Sequence, residues 1–531
     1  MNTRWTIFFL FLSCALLTGA GGAAAGNQDV VRNLAGRVGP VIGSALACRD
    51  IARPRIQLIV DKFTAVIAEA ASNDAERSEL TQMLDRNVAD GRGAVTSGRI
   101  DCALADRQLA DLERAIAGGP ALPAVIAPPP PADAPSVASS FSAATAATVP
   151  TAPVPVGPAV RGVTDREIRF GIAAPFSGSS KELGRQMKLG IDTAFNRVND
   201  AGGVEGRMLK LIAADDGFEP TRTVEAMKQL YERDQVFGMI GNVGTATAAV
   251  ALPYALERRM LFFGAFTGAN VIRHDPPDRY VFNYRASYAE ETDAAVRYFV
   301  KMRRIPPRQI AVFAQQDAGG DAGFAGVAKS FRSLGASDSG ILRLNYQRNT
   351  VDVEDAVNQL KAQKVPIKAV VMISAYRAAA KFIEKTRDLF PGMLYSNISF
   401  VGSTVLADEL MLLGPRYAAG AIVTQVVPAV SGYSSIVLEY KNALAKYFPG
   451  EAADYVSLEG YVAANVLIEA LKRTGPQLDT EKLIDVLENM RDLDLGLGTS
   501  LSFGRAEHQA SHKIWGTALD ETGKYQAIEL E

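Results

Sequence analysis

The feature that most constrains this chain is a regular alternation of short apolar runs with amphipathic stretches from Val163 onward. The apolar runs are rich in Val, Ile and Phe and predict buried strands, whereas the stretches between them have the spacing of helices. The predicted strands are Ile168–Ala174, Met208–Ala214, Val236–Ile240, Leu261–Phe263, Gln309–Phe313, Ile341–Tyr346, Ala369–Ile373, Ser399–Val401 and Ala421–Gln425. The predicted helices include Leu189–Val198, Thr223–Arg233, Ala246–Leu256, Glu291–Val300, Val353–Leu360 and Ala378–Phe390. This alternation is typical of parallel sheets with helices on both faces.

The length of this region predicts two sheets. About 370 residues are too many for one doubly wound sheet, so we expect an α/β fold of two doubly wound lobes joined by a hinge. We place this domain at residues 164–531, with lobe 1 at about 164–284 and 428–496 and lobe 2 at about 285–427 and 497–531. Ligands of open α/β sheets bind outside the carboxyl ends of the strands. Two facing lobes therefore bring two such edges to one cleft.

The first 25 residues have the pattern of a secretory signal peptide. Arg4 precedes an apolar run from Trp5 to Leu17, and small residues follow as far as Ala25. The run is shorter than the about 20 apolar residues that span a bilayer, and no later segment has that length. Cys14 lies inside the run rather than after a lipoprotein-like site, so we expect cleavage near Ala25, no lipid anchor and a periplasmic location.

Two regions separate this leader from the α/β domain. Residues 27–119 show helical spacing of apolar residues, as in Ile56, Leu58, Ile59, Phe63, Val66 and Ile67, and predict a small all-α module. Residues 120–160 are rich in Pro and Ala and predict a disordered linker. Cys48 and Cys102 are the two cysteines left after cleavage. In an oxidising compartment such a pair is typical of a disulfide, with two buried free thiols as the alternative.

Three loops after predicted strands are rich in Ser, Thr and Gly, whose hydroxyl and backbone N–H groups suit an anion. Each loop alone is equally well explained as a capped β–α turn, but three in one lobe indicate a binding edge. Thr245 is notable because it lies at the start of a predicted helix. The candidate residues are Ser177, Leu183, Gly184, Asn242, Thr245, Phe266, Thr267 and Gly268.

Residues 164–531 contain several short motifs in a specific order, and each motif alone is a weak indication of a family. These motifs are Ile168–Gly178, Asn199–Gly206, Asp215-Asp216 with Pro220, Ile240–Thr245, Thr267-Gly268, Val281–Arg285 and Ser457–Ala464. With them the chain resembles the type I periplasmic solute-binding proteins of the leucine/isoleucine/valine class, which serve ABC transporters.

The resemblance implies roles for individual residues. Groups matching Thr245 and Thr267-Gly268 hold the carboxylate of the ligand, and an aromatic residue matching Tyr376 closes over it. The acidic residue that meets the ligand ammonium would match a position near Thr404, which is not acidic. Because an unpaired buried ammonium is costly, an amino-acid ligand requires another acidic partner.

Asp317 and Glu182 are the candidates for that acidic partner. Tyr288, near the predicted crossover between the lobes, is a further candidate cleft residue, with hinge or core packing as the alternative. Some members of that family have a disulfide in the first lobe. The resemblance implies that this chain lacks it, because Phe218 and Gly244 occupy the matching positions.

Charge and motif content argue against nucleic-acid binding and catalysis. The 56 basic and 58 acidic residues give a formal net charge of −2 and no basic footprint for a polyanion. His508 and His512 have the four-residue spacing of a helical metal site, but no third ligand or HExxH pattern accompanies them. Neither a P-loop, a nucleophile elbow nor a complete dinucleotide fingerprint is present. We expect no enzymatic activity, cofactor or metal.

We therefore expect the extracytoplasmic solute-binding component of an ABC transporter. It would act as a monomer that binds a small amino acid, or a related carboxylate or amide, in the interlobe cleft and docks on an inner-membrane permease. The alternative is a periplasmic regulatory or scaffold protein that reuses the fold, such as an activator of a cell-wall enzyme or a ligand sensor. A transport receptor does not need a module such as residues 27–119, so the presence of this module supports the alternative.

Overall fold

The computed structural model describes residues 38–48, 51–71, 73–96, 100–116 and 160–530. The chain divides near residue 148 into two compact units. The predicted signal peptide, and the predicted linker except for its last residue, lie outside the described residues. Among the described helices, none combines the length and apolar character needed to cross a membrane.

The first unit is helical, as its apolar spacing predicts. Residues 38–47 are helical, and three further helices follow: α1 (Arg53–Ala70), α2 (Asp74–Thr96) and α3 (Cys102–Ile116). Ile59 and Phe63 are buried in its core, whereas Leu58, from the same pattern, is 53% exposed. Cys48 and Cys102 form a disulfide with their Cα atoms 5.6 Å apart, which confirms the predicted pairing.

The second unit contains two sheets and confirms the predicted pair of doubly wound lobes. Lobe 1 is built on five parallel strands in the order β2-β1-β3-β4-β5: β1 (Glu167–Ala174), β2 (Met208–Asp215), β3 (Gly238–Ile240), β4 (Leu261–Phe263) and β5 (Val281–Phe282). Lobe 2 is built on seven strands in the order β12-β11-β10-β9-β8-β6-β7: β6 (Ile310–Gln315), β7 (Arg343–Tyr346), β8 (Ala369–Ile373), β9 (Leu394–Asn397), β10 (Ile422–Gln425), β11 (Trp515–Leu519) and β12 (Tyr525–Ile528).

Twelve α-helices lie in the described part of this unit. They are α4 (Lys181–Asp200), α5 (Pro220–Lys228), α6 (Thr245–Glu257), α7 (Tyr288–Arg297), α8 (Ala318–Ser333), α9 (Glu354–Lys361), α10 (Tyr376–Arg387), α11 (Ser403–Leu413), α12 (Pro415–Ala418), α13 (Ser435–Tyr447), α14 (Tyr455–Thr474) and α15 (Thr480–Glu488). One-turn π-helical segments, Gln229–Arg233 and Tyr298–Met302, continue α5 and α7. All five residues of β8 are buried, as expected for a strand covered on both faces.

The close contact between α4 and α14 depends on glycine. A Cβ atom at Gly190 of α4 would lie 1.8 Å from the backbone oxygen of Ser457, and one at Gly460 of α14 would lie 2.6 Å from that of Met187. Neither helix can carry a side chain at these positions without moving apart. This packing attaches α14, which is late in the sequence, to lobe 1.

Three features of the sheets differ from the sequence expectation, and the first is the two-residue strand β5, which was not predicted. Ser399–Val401, predicted to be a strand, is a 3-10 helix, and the strand is β9, a few residues earlier. The apolar residues Phe400 and Val401 are buried because they follow the carboxyl end of that strand. In addition, β11 and β12 form an antiparallel extension of the lobe 2 sheet, which the β–α alternation does not predict.

The chain crosses between the lobes three times, and the crossing segments are bonded to one another. The Tyr284 hydroxyl donates to the backbone oxygen of Val426 (2.7 Å). The Asn283 N–H donates to the backbone oxygen of His508 (2.7 Å), and the Ser511 N–H donates to that of Tyr284 (3.0 Å). These bonds place the three crossings side by side, as a hinge requires.

A buried charge cluster lies at the same crossings. Arg285, 1% exposed, pairs with Glu291 of α7 in lobe 2 at 2.7 Å and with Glu459 of α14 in lobe 1 at 3.5 Å. Burial raises the pKa of Glu459 to about 7, although Arg285 opposes that shift. Because removing one partner of a buried pair leaves an uncompensated charge, this cluster strongly constrains how the crossings pack.

Candidate functional site

A partly open cavity lies between the two lobes, and about 240 Å³ of space there, including open solvent, is not filled by protein atoms. Every residue that lines it follows the carboxyl end of a strand, ends a strand or begins a helix after one. Phe218 and Thr245 come from lobe 1, and the other residues come from the first crossover and lobe 2. The lining residues are Phe218, Thr245, Tyr288, Gln315, Asp317, Gly319, Gly320, Ile373, Ser374 and Phe400.

The lobe 1 wall presents a helix N-terminus and hydroxyl groups. Thr245 is the first residue of α6, where backbone N–H groups have no carbonyl partner within the helix. Its Oγ1 lies 2.7 Å from Oγ1 of Thr267, and both side chains are buried. Burial raises the pKa of Tyr288, and hydrogen bonding to the two threonines partly opposes that shift. This wall is suited to an anionic group.

The lobe 2 wall carries a carboxylate. Asp317 caps α8: its Oδ1 accepts from the N–H groups of Gly319 (2.9 Å) and Gly320 (3.2 Å). Its Oδ2 accepts from Nε2 of Gln315 (2.5 Å) and lies 3.9 Å from Nη1 of Arg348. The Asp317 side chain is only 6% exposed, and both of its carboxylate oxygens accept hydrogen bonds.

Ser374, directly after β8, adds a hydroxyl to the same wall. The residue is 1% exposed, and its Oγ has no hydrogen-bond partner among the described residues. Buried polar atoms usually have partners, so this hydroxyl is available to a bound molecule.

The remaining wall is apolar. Phe400 stacks on Phe218 with ring centroids 6.1 Å apart, and Phe266 stacks behind Phe400 at 5.3 Å. A Cβ atom at Gly244 would lie 2.4 Å from Cε2 of Phe218, so the absence of a side chain there makes room for the ring.

The structure places Thr245, Tyr288 and Asp317, three of the residues predicted from the sequence, on the cavity wall. Thr267 is hydrogen-bonded to Thr245, and Gly268 packs against the Tyr288 ring, which a Cβ atom there would approach to 2.4 Å. These two residues therefore support the wall from behind.

Four other candidates of lobe 1 do not line this cavity. Ser177 Oγ donates to Oδ2 of Asp215 (2.6 Å). The side chain of Leu183 is close to Gly402, where a Cβ atom would lie 2.7 Å from its Cδ2. Gly184 packs against the backbone of Pro175 and Asn242 is buried, so these residues shape the loops.

Tyr376 and Thr404 of lobe 2 also lie off the cavity wall. The Tyr376 hydroxyl donates to the backbone oxygen of Ser179 in lobe 1 (2.6 Å). Thr404 lies near Asp454 of lobe 1: burial raises the pKa of that carboxyl, and the Thr404 side chain partly opposes the rise. Both residues therefore contact the opposite lobe.

Tyr376 belongs to a set of contacts that we name the interlobe latch. It consists of Tyr376, Arg348 and Asn349 of lobe 2 with Ser179 and Glu219 of lobe 1. Nη2 of Arg348 donates to Oε2 of Glu219 (2.9 Å), and Nδ2 of Asn349 donates to its Oε1 (2.5 Å). The lobes are thus bonded to each other outside the cavity.

Seven lining residues were not identified from the sequence: Phe218, Gln315, Gly319, Gly320, Ile373, Ser374 and Phe400. Most lie where the rule that ligands bind after strand ends directs attention. Ser374, for example, directly follows the predicted strand Ala369–Ile373. Phe400 was missed because its segment was predicted to be a strand.

The two C-terminal histidines contact other groups. His508 stacks on Phe282 with centroids 3.9 Å apart, and burial lowers its pKa. Nδ1 of His512 lies 2.6 Å from Oε1 of Glu290. Within the described ranges, no group of three or more His, Cys, Asp or Glu side chains could hold a metal ion.

Two doubly wound lobes, three adjacent crossings and a cavity at the facing strand ends define the type I periplasmic-binding fold. Residues 167–524 match the periplasmic binding protein family, and the chain belongs to this family. The resemblance found in the sequence is confirmed. Members of the family are binding proteins.

Individual relatives extend this finding. The chain is 25% identical over 383 residues to the Leu/Ile/Val-binding protein BraC3 of Rhizobium johnstonii, covering 68% of this chain and 94% of that one. A possible leucine/isoleucine/valine-binding protein from Rhodopirellula baltica is 36% identical, with a TM-score of 0.65 over 70% of this chain and 98% of that one. A fatty acid ABC transporter substrate-binding protein from Thermomonospora curvata shares the fold, with a TM-score of 0.63, 20% identity and coverage of 70% and 93%.

Proposed function

We propose that this protein is the extracytoplasmic solute-binding component of an ABC transporter and that it binds a small carboxylate-bearing molecule between its lobes. The observation that carries the proposal is the interlobe cavity, in which the N-terminus of α6 and the Thr245 hydroxyl face a lobe 2 wall that includes the Ser374 hydroxyl, which has no partner among the described residues. Relatives named as Leu/Ile/Val-binding proteins support the same solute-binding role. Thr245, Tyr288 and Asp317, among the site residues predicted from the sequence, and the predicted lobe boundaries are part of this proposal.

The carboxylate belongs at the lobe 1 wall. Free N–H groups and the positive end of the helix dipole favour negative charge there, and Thr245 adds a hydroxyl donor.

Capture requires that the lobes open and close about the three crossings. A ligand that contacts both walls binds the closed arrangement more tightly than the open one, and so shifts the population towards it. The interlobe latch stabilises the same arrangement. The closed protein, a periplasmic monomer in this proposal, then docks on the permease, whose partner hydrolyses ATP.

The first unit favours one further candidate function. A disulfide-bonded helical module is an addition that a transport receptor does not need, and it is compatible with a periplasmic regulatory or scaffold protein. Copurification of an ABC permease supports transport, whereas copurification of a cell-wall enzyme in its place supports this alternative.

The experiment that tests the proposal identifies the solute. Protein purified from the periplasm is denatured, and the released small molecules are analysed by mass spectrometry. In parallel, the thermal stability of the intact protein is measured against amino acids, other carboxylates and amides. We expect a saturable rise in Tm with at least one carboxylate-bearing compound, since ligands that bind the native state stabilise it.

Two threonine variants test whether the solute binds at the lobe 1 wall of the cavity. Thr245→Val removes the hydroxyl that lines the cavity and should abolish most of the Tm shift. Thr247→Val, the matched control, removes a buried hydroxyl that donates to the backbone oxygen of Val243 (2.5 Å) and does not line the cavity. Equal loss in both variants, or no response of the wild type to any compound, would contradict the proposal.

A further inference from the structure

We infer that the solute of this site is a monocarboxylic acid without an ammonium group, so that the protein discriminates against α-amino acids. The inference rests on the proposed function and deepens it, because it names the class of carboxylate that the cavity takes. It depends on whether any negative charge at the cavity is still free to bind a cation.

Asp317 is the one formally charged residue among the described residues that line the cavity, and each of its carboxylate oxygens already has partners. Oδ1 accepts from the N–H groups of Gly319 and Gly320, and Oδ2 accepts from Nε2 of Gln315 and lies 3.9 Å from Nη1 of Arg348. The two N–H groups belong to the start of α8, where the positive end of the helix dipole stabilises a carboxylate. Asp317 therefore serves as a helix cap, and an ammonium would have to displace one of these partners.

Two further carboxylates close to the wall are also occupied. Asp216 accepts from the N–H group of Phe218 (2.9 Å), and Glu291 accepts from the N–H group of Ser399 (2.7 Å) and from Nη2 of Arg285 (2.7 Å). Both acidic residues are fully buried. Neither carboxylate is open to a cation that enters the cavity.

Glu182, the other acidic candidate named from the sequence, also does not supply the charge. Its Oε2 accepts from Nε of Arg185 (2.7 Å), and it is not among the residues that line the cavity. An ammonium in the cavity would therefore lack an uncommitted carboxylate partner among the described residues.

The aromatic wall does not replace a carboxylate. Aromatic faces attract cations, but the rings of Phe266 and Tyr288 already have the guanidinium carbon of Arg285 at 5.1 and 5.7 Å from their centroids. A second cation on these rings would be repelled by Arg285. Phe400 is stacked against both Phe218 and Phe266, so other rings cover it. These rings suit the hydrocarbon part of a solute.

The polar groups that remain available are neutral. They are the N–H groups at the start of α6, the Thr245 hydroxyl and the Ser374 hydroxyl, which has no partner among the described residues. N–H and O–H donors satisfy a carboxylate and one further acceptor, such as a keto or hydroxyl oxygen. An ammonium held beside them without an anion would lose its hydration with little compensation. The site therefore binds the carboxylate and rejects the ammonium of an α-amino acid.

The test is titration calorimetry of the intact mature protein with pairs of acids that differ by one ammonium group. The pairs are propionate with L-alanine, 4-methylpentanoate with L-leucine, and 3-phenylpropionate with L-phenylalanine. We expect at least one ammonium-free acid to bind, and its amino-acid partner to bind more weakly by roughly tenfold or more. Mass spectrometry of the solutes released on denaturation extends the test to other acids, and we expect a carboxylate without an amino group.

Substitutions at the lobe 2 wall test which groups decide this preference, measured as the ratio of the two Kd values in a pair. Asp317→Asn should leave the ratio within about threefold, since asparagine also caps a helix. Ser374→Asp places a new carboxylate on the wall and should shift the ratio towards the amino acid by roughly tenfold or more. Ser374→Asn, the matched control, has a similar shape without the charge and should leave the ratio unchanged. A variant's effect on folding or closure cancels in the ratio, because it applies to both members of a pair.

The outcomes separate the inference from the proposed function. An amino acid that binds as tightly as its ammonium-free partner, or a released solute that bears an amino group, overturns the inference and leaves carboxylate binding intact. The same holds if Asp317→Asn changes the ratio by more than roughly tenfold, or if Ser374→Asp and Ser374→Asn change it equally. Absence of binding by every acid of the panel, together with no released carboxylate, overturns both.

Discussion

Ser374 places a buried hydroxyl on the cavity wall without a partner among the described residues. Ser374→Ala removes no hydrogen bond of the free protein, so its stability should change little. The free energy of binding of the solute should weaken by about 0.5–1.5 kcal/mol, or roughly two- to tenfold in Kd, because the solute loses one hydrogen bond. Titration calorimetry gives the affinity and thermal unfolding gives the stability.

Ser396 offers a matched control for this variant. Its Oγ is also buried and has no partner among the described residues, but it lies within β9 and does not line the cavity. Ser396→Ala should therefore leave the affinity unchanged. An equal effect of both substitutions on affinity would show that the Ser374 hydroxyl does not contact the ligand.

The sequence predicted site residues best where a polar side chain follows the end of a predicted strand. Thr245 was a candidate because it follows a strand end and bears a hydroxyl, whereas Asp317 was a candidate as the acidic partner that the resemblance requires. Ser374 also follows a predicted strand, but whether the residue after a strand faces a cleft depends on the twist of the sheet and on the opposite lobe. Phe218 and Phe400 face the cavity through interlobe packing, which no local pattern in the sequence records.

Tyr376 connects the elements on the two sides of the cleft. As the first residue of α10 it donates to the backbone oxygen of Ser179, which precedes α4 in the other lobe. Tyr376→Phe removes this bond without changing the cavity wall, so the closed arrangement should lose about 1 kcal/mol. We expect a roughly fivefold higher Kd, and a larger radius of gyration for the ligand-free protein by small-angle X-ray scattering.

Tyr395→Phe is the control within one lobe. The Tyr395 hydroxyl lies 2.9 Å from Oγ1 of Thr386, also in lobe 2. Losing that bond should lower Tm and leave the Kd unchanged. If Tyr376→Phe behaves in the same way, the latch contributes to stability and not to closure.

The periodicity of apolar residues predicted those helices and strands that have one clearly buried face. The strands β1–β4 of lobe 1 and β6–β8 of lobe 2 were found to within a few residues, whereas the two-residue strand β5 was not predicted. By contrast, α14 is buried along almost its whole length, so it lacks the polar face that marks a surface helix. The strands β11 and β12 mix exposed and buried residues at a sheet edge, where pairing is decided by distant β10.

At the scale of the whole molecule, two units have separate hydrophobic cores. The core of the first unit contains residues of 38–112 only, and the cores of the second contain residues from 168 onward. We therefore expect two thermal transitions in calorimetry of the intact protein. A bound solute should raise the unfolding temperature of the second unit alone, because a ligand stabilises the unit that binds it.

The disulfide gives the means to assign these transitions. Cys48 and Cys102 are 54 residues apart, and a cross-link closing a loop of this size stabilises by about 4 kcal/mol in the chain-entropy account. The double variant Cys48→Ser with Cys102→Ser should lower the transition of the first unit by many degrees, and reduction of the wild type should do the same. Because both cysteines lie in that unit, the ligand-dependent transition and the Kd should stay unchanged. A parallel fall of both transitions would mean that the module stabilises the binding domain, and would favour a regulatory role for residues 27–119.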